Sequence, residues 1–141
     1  MANLASTYTQ QGRRPEAGNL EVEVLEKSKE VLGEGHPYTL TSMGNLAGTY
    51  REQGRWSEAE KLEVEVLEKR KEALGEGHLS TLRSMANLAF TLRSAGRRQS
   101  ALDLITSCTE MSRAKLGIDH PDTVTRFSHR ARWEADNTKD K

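Results

Sequence analysis

Residues 43–84 read MGNLAGTYREQGRWSEAEKLEVEVLEKRKEALGEGHLSTLRS, and the sequence on either side repeats them. Residues 1–42 match this stretch at 29 of 42 positions, and residues 85–126 match it at 15. The matches include the punctuation: Gly12, Gly54 and Gly96 recur, as do Gly33, Gly75 and Gly117, and His36, His78 and His120. Compositional bias does not keep such residues in register, so the 42-residue period decides the architecture.

Each copy reads as two helices. Pro37 suits a first helical position, where its fixed φ is pre-set and its missing N–H is not needed. Leu40, Met43, Leu46, Ala47 and Tyr50 follow at helical spacing. Gly54 ends that helix, and Ser57 with Glu60 fits a capping box opening a second one. Ala59, Leu62, Val66, Ala73 and Leu74 form its apolar stripe, widened by Val64 and Leu67, and Gly75-Glu76-Gly77 breaks it. The glutamate-rich stretches 21–30 and 58–72 read as solvated faces. Nothing alternates with period two over a useful length, so no strand is expected. The predicted helices are 2–11, 15–32, 38–53, 57–74, 80–95, 98–116 and 122–135. A hairpin of two such helices cannot bury its stripe alone, and about three stacked copies are needed for stability.

The composition agrees with a thin array. Apolar residues make up 35% and charged residues 30% of 141, too polar a mixture for a thick two-layer core. Lysine plus arginine number 21 and aspartate plus glutamate number 21, which favours neither nucleic acid nor an acidic membrane as partner. Cys108 is the sole cysteine, so no intrachain disulfide is possible and a reducing compartment is expected. Met1 to Ser6 lack the features of a signal peptide, and no apolar run is long enough to span a bilayer. The expectation is a soluble, cytoplasmic protein.

The run N-L-A-x-x-Y-x-x-Q-G-R-W-x-E-A-E-x-L, from Asn45 to Leu62, resembles the tetratricopeptide repeat. The link L-G-E-G-H-x-x-T-L and the 42-residue period resemble the kinesin light chain subtype. The runs T-L-T-S-M-G-N-L-A and L-E-V-E-V-L-E-K-R-K resemble repeat arrays at the carboxyl end of fungal NOD-like receptors. The resemblance covers residues 1 to about 125. It implies an all-α fold: a right-handed superhelix of antiparallel helix hairpins with about three and a half repeats. Repeats are expected at 1–36, 37–78 and 79–120, with a capping helix at 121–136, in one domain ending in a disordered tail at 137–141. Leu79 stands where Pro37 and Pro121 stand, so its helix is expected to start less sharply. The third copy has Ile105-Thr106-Ser107-Cys108 in place of the Val/Glu-rich run, as a terminal repeat would. Met1 enters in mid-helix, which reads as a truncation.

The resemblance also implies a function: a non-catalytic module that binds a peptide or helical partner in a concave groove lined by the first helix of each hairpin. The groove-facing residues so implied are Asn3, Ser6 and Gln10; Thr41, Gly44, Asn45, Gly48, Arg51 and Glu52; Arg83, Ala86, Asn87, Phe90 and Arg93; and His129 and Arg132. Asn3, Asn45 and Asn87 would form a ladder holding an extended backbone, since an amide offers both acceptor and donors. Arg51, Arg83, Arg93 and Arg132 would give a positive lining suited to an acidic segment. The alternative reading is the recognition fragment of a fungal NOD-like receptor carrying an NTPase switch. The chain is expected to be monomeric, or weakly self-associating through an uncovered first helix.

Other candidates read as structural. His36, His78 and His120 lie one repeat apart, too far to share a metal ion, and read as helix-entry punctuation. The Gly-Glu-Gly turns lack the lysine and the preceding strand of a phosphate loop. No hydrolase or metalloprotease motif occurs, so neither enzyme nor cofactor is expected. Cys108 reads as packed, His129 as a surface residue, and Trp133 as either a cap or an exposed anchor.

Overall fold

The structure, a computed structural model, describes residues 14–139. These form six helices: α1 (Arg14–Leu32), α2 (Pro37–Glu52), α3 (Trp56–Leu74), α4 (Leu79–Ser94), α5 (Arg98–Leu116) and α6 (Pro121–Lys139). The expected helix at 2–11, with Asn3, Ser6 and Gln10, lies outside the described residues. So does any self-association through it. No strand occurs among the described residues, and no helix there is long and apolar enough to cross a membrane. The chain divides into two compact units, residues 1–66 and 67–141. Helix α3 contributes its first part to one and its last part to the other.

The repeated punctuation works at the level of single hydrogen bonds. His36 sits at the N-cap of α2 in an extended conformation, and its Nδ1 accepts the Tyr38 N–H at 3.1 Å. His78 accepts the Ser80 N–H at 3.0 Å, and His120 the Asp122 N–H at 3.1 Å. Each imidazole thus satisfies one of the amides a helix start leaves unpaired. The cap, not the proline, sets the start: α4 begins at Leu79 as sharply as α2 begins at Pro37. At the other end Gly75 takes φ +93°, a left-handed value costly for any residue with a Cβ, and donates to the Lys71 carbonyl at 3.0 Å.

The capping-box reading of Ser57 needs correction. Helix α3 starts at Trp56, which places Ser57 inside the first turn. Arg55 does the local work instead: its Nε donates to Glu58 Oε1 at 2.8 Å and its guanidinium lies 4.1 Å from the Tyr50 ring centroid. Helix α6 extends to Lys139, past the expected end at 135 and into the stretch 137–141 expected to be disordered. No glycine or proline interrupts it there, and Arg130 Nε pairs with Glu134 one turn later at 3.0 Å.

In the first unit, Leu25, Leu40, Met43, Leu46 and Val66 form the buried core, with Val22, Tyr50 and Leu62 against it. In the second, Leu67, Leu82, Met85, Leu88, Ala89, Leu92, Ala101, Ile105, Cys108 and Trp133 do so. Burial follows repeat position more closely than residue type. Val24, Val66 and Cys108 occupy one position, and all are buried. Glu21, Glu63 and Ile105 occupy another. Ile105 is fully buried, Glu63 is 5% exposed beside Arg51 at 4.0 Å, and half-buried Glu21 accepts a hydrogen bond from Thr49. The glutamate-rich stretches are therefore not wholly solvated: one acid in each faces inward. The burial of Glu21, partly offset by the Thr49 bond and reinforced by nearby Glu52, raises its carboxyl above the ordinary value.

Candidate functional site

The first helices of the hairpins, α2 and α4, each bury one face and leave the other open. On α2, Thr41, Gly44 and Asn45 are exposed and Gly48 and Arg51 half-buried; on α4, Arg83 and Asn87 are exposed and Ala86, Phe90 and Arg93 half-buried. The inward faces alternate with these: Leu40, Met43, Leu46 and Ala47 on α2, and Leu82, Met85, Leu88 and Ala89 on α4. In both helices the asparagine carbonyl accepts a hydrogen bond from a threonine hydroxyl one turn on, Thr49 to Asn45 and Thr91 to Asn87, each at 3.3 Å. Those threonines are buried, while the asparagine side chains point outward from exposed positions.

The second unit closes part of its open face into a cleft of about 210 Å³ between α4 and α6. Arg83, Ala86 and Phe90 line one wall, and Asp122, Thr125, Arg126 and His129 the other. Aromatic rings of the two walls meet there. Phe90 meets His129 edge to face at 4.9 Å between centroids, and Trp133 edge to face at 5.1 Å. His129 and Trp133 stack on the same helix at 6.2 Å. Trp133 is only 2% exposed and belongs to the core, so it does not stand out as an exposed anchor. His129 is drawn into the cleft, not left on the surface, and burial, with Arg132 and Arg126 adding to it, pushes its imidazole below the ordinary histidine value.

The arginines do not form an unopposed positive lining. Arg83 Nε pairs with Asp122 Oδ2 at 3.0 Å, and Arg126 Nη1 reaches the same oxygen at 3.4 Å. Arg83 above all, then Arg126, holds the Asp122 carboxyl below the usual carboxylate range. Arg93 pairs with Asp136 and lies 5.2 Å from the Trp133 ring centroid. Arg51 has Glu63 at 4.0 Å, and Arg132 is exposed on α6. Two guanidiniums therefore face one carboxylate in the cleft, and Arg126 is only 5% exposed. Cys108 is fully buried with its thiol donating to the Leu82 carbonyl at 3.2 Å, and burial raises its pKa further from reactivity. No group of three or more metal-ligating side chains occurs among the described residues.

Asp122, Arg126, Thr125 and Asp136 escaped sequence reasoning, yet a signal for them existed. Arg83 and Asp122 are 39 apart, and Arg93 and Asp136 are 43 apart. The same two spacings separate Phe90 from His129 and from Trp133. They are the repeat period less three and plus one, so a residue on α4 meets two residues one turn apart on α6.

A tetratricopeptide repeat model matches residues 1–72, just over half the chain, and a second matches residues 81–122. The chain belongs to the tetratricopeptide repeat family. Such repeats generally mediate protein–protein interaction. Among solved structures the chain is similar to a putative kinesin light chain with nearly identical TPR-like repeats from Podosopora anserina. The TM-score is 0.85 and the identity 28%, over 97% of this chain and 65% of that one. BtubC (BKLC) from P. vanneervenii shares the fold alone, with a TM-score of 0.81 and 21% identity over 92% of this chain and 52% of that one. This tetratricopeptide chain thus spans less than two thirds of either neighbour. No curated protein matches its sequence.

Proposed function

We propose that this tetratricopeptide protein is a non-catalytic interaction module, and that the open faces of α2 and of α4, each within its own unit, are surfaces for a peptide or helical segment of a partner protein. The observation that carries the reading is the cleft between α4 and α6, where Phe90 and His129 meet beside two guanidiniums set against one carboxylate. That imbalance favours an acidic segment, since a ligand carboxylate would complete the charge pairing of Arg83 and Arg126. Asn45 and Asn87, exposed on their helices, would hold the peptide backbone through their amides. Arg51, Thr41 and Arg132 are the further contact residues of this reading, with Arg93 and Phe90 anchoring the second unit. Side chains with this mixture of arginine and aromatic character supply most of the energy in known interfaces.

The test is fluorescence anisotropy of labelled acidic, neutral and basic peptides against the full chain and an Asn45→Ala/Asn87→Ala variant. The expected result is selective binding of the acidic peptide, weakened by the double substitution. Equal binding of all three peptides, or an unaffected variant, refutes the assignment.

A second reading rests on the runs that resemble fungal receptor arrays: the module would be the recognition arm of a larger NTPase-switch protein. An upstream phosphate-loop coding sequence in the same reading frame supports it, and a stop codon immediately before Met1 removes it. A cytoplasmic setting is part of both readings, and immunolocalisation tests it.

A further inference from the structure

We infer that His129 makes ligand capture in this cleft pH-dependent: protonating its imidazole adds a cation beside Arg83 and Arg126, so an acidic segment binds more tightly as the pH falls. The inference rests on the proposed peptide-binding role of the cleft. Its geometric basis is independent of that role. His129 is the one histidine lining the cleft, packed between the Phe90 edge and the Trp133 face, with part of its ring open to the space a ligand would fill.

The charges around the ring decide the sign. Helix α4 presents Arg83 and Arg93; α6 itself presents Asp122, Arg126 and Arg132; α5 presents Cys108, which contacts Arg126. Asp122 and Asp136 are already engaged by Arg83 and Arg93, so the ring stands among cations whose nearest acids are taken. Burial, ahead of Arg132 and Arg126, holds the imidazole below the ordinary histidine value. A ligand carboxylate entering between Arg83 and the ring reverses this balance, because an opposite charge within about 4–6 Å favours the protonated form. Binding then takes up a proton, and each pKa unit the ligand adds to the imidazole appears as about a tenfold gain in affinity on the acid side. His36, His78 and His120 act as helix caps through Nδ1 and do not line the cleft.

The experiment uses the full chain with Trp56→Phe, so that Trp133 alone reports on its stacked neighbour. First, without ligand, Trp133 emission is followed from neutral pH down through the region below the ordinary histidine value of about 6.5, where the lowered imidazole titrates. A transition is expected that both His129→Gln and His129→Phe abolish, the second keeping ring packing without a titrating group. Second, the affinity of a rhodamine-labelled hexa-aspartate peptide is measured across the same range. About three- to tenfold tightening toward acid is expected in the parent and a flat profile in both variants. Binding that is equally tight at all pH values overturns the inference and leaves the groove reading standing. A pH profile that persists in both variants overturns it too. Absence of peptide binding at every pH removes the groove reading and the inference together.

Discussion

Replacing Trp133 with alanine tests whether α6 is held as described. The indole is 2% exposed, packs edge to face with Phe90 at 5.1 Å and lies under the Arg93 guanidinium at 5.2 Å. A buried Trp→Ala change ordinarily costs about 3–5 kcal/mol, which already contains the aromatic pairing of about 0.5–1.5 kcal/mol. Here the lower end applies. One face of α6 is open, with Val124 51% exposed and Ala131 exposed, so the helix can settle into part of the void. The expected loss is about 3 kcal/mol, a large share of a total stability of about 5–15 kcal/mol. In thermal unfolding it lowers Tm by about 10 °C for a chain of this size. Trp133→Phe keeps a ring against Phe90 and should lose only about 1 kcal/mol. Urea titrations followed by circular dichroism give both numbers, and amide exchange locates the change. Because repeat proteins are stabilised by nearest-neighbour contacts, protection should fall in α5 and α6 first and last in α1 and α2. A loss below about 1 kcal/mol for Trp133→Ala, at unchanged m-value, refutes the packing of α6 on α4.

Three further expectations follow from single positions. Gly35 and Gly77 occupy the same place in successive turns, but a Cβ at Gly35 meets nothing within 4 Å while one at Gly77 would lie 2.5 Å from a Lys115 methylene. Gly35→Ala should be neutral or stabilising by up to about 1 kcal/mol; Gly77→Ala should be the less stable of the two, and Lys115→Ala should rescue it, as paired melts will show. His78→Ala removes the acceptor for the Ser80 N–H and should cost about 1 kcal/mol, whereas His78→Asp restores an acceptor and adds a favourable charge at the helix start. Glu21→Gln keeps a partner for Thr49 without the buried charge. Because the folded carboxyl is raised, the parent's advantage from this group is full below the unfolded value and lost as pH rises through the folded one. The variant should therefore gain on the parent between acid and neutral pH, a gain that parallel denaturant titrations will resolve.

The fold was legible because its period carries its own punctuation. Gly33, Gly75 and Gly117 with the histidines three residues on fixed the helix boundaries to within a residue or two, except at the end of α6; at Ser57 it was the capping role that failed. Ser57 misled because a local motif was read without the competing Arg55–Glu58 pair. The site was half legible. The exposure of Thr41, Asn45, Arg83 and Asn87 follows from helical phase alone. Their charge environment does not, because Asp122 and Asp136 lie some forty residues from their arginines, and only the packing of α4 on α6 brings them together. Glu21 and Glu63 were hidden for a different reason: hydropathy names a residue type, and burial here belongs to the repeat position that Ile105 also fills.

The paired spacings between α4 and α6 bear on how such an array can change over generations. Asp122 and Asp136 replace the Ser80 and Ser94 of the preceding copy, and Arg83 and Arg93 stand ready for them. Near-identical repeats invite unequal exchange, and whole 42-residue units could be gained or lost ahead of Arg83 without disturbing these pairs. A crossover between Arg83 and Asp122 would put Thr41 in the place of Arg83 and leave Asp122 to Arg126 alone, whereas one that replaced Arg93 would supply Arg51 in its stead. The start of α4 and the start of α6 thus keep their ion pair only when inherited together, while the copy before them shares 29 of 42 residues with its neighbour and can be exchanged for it.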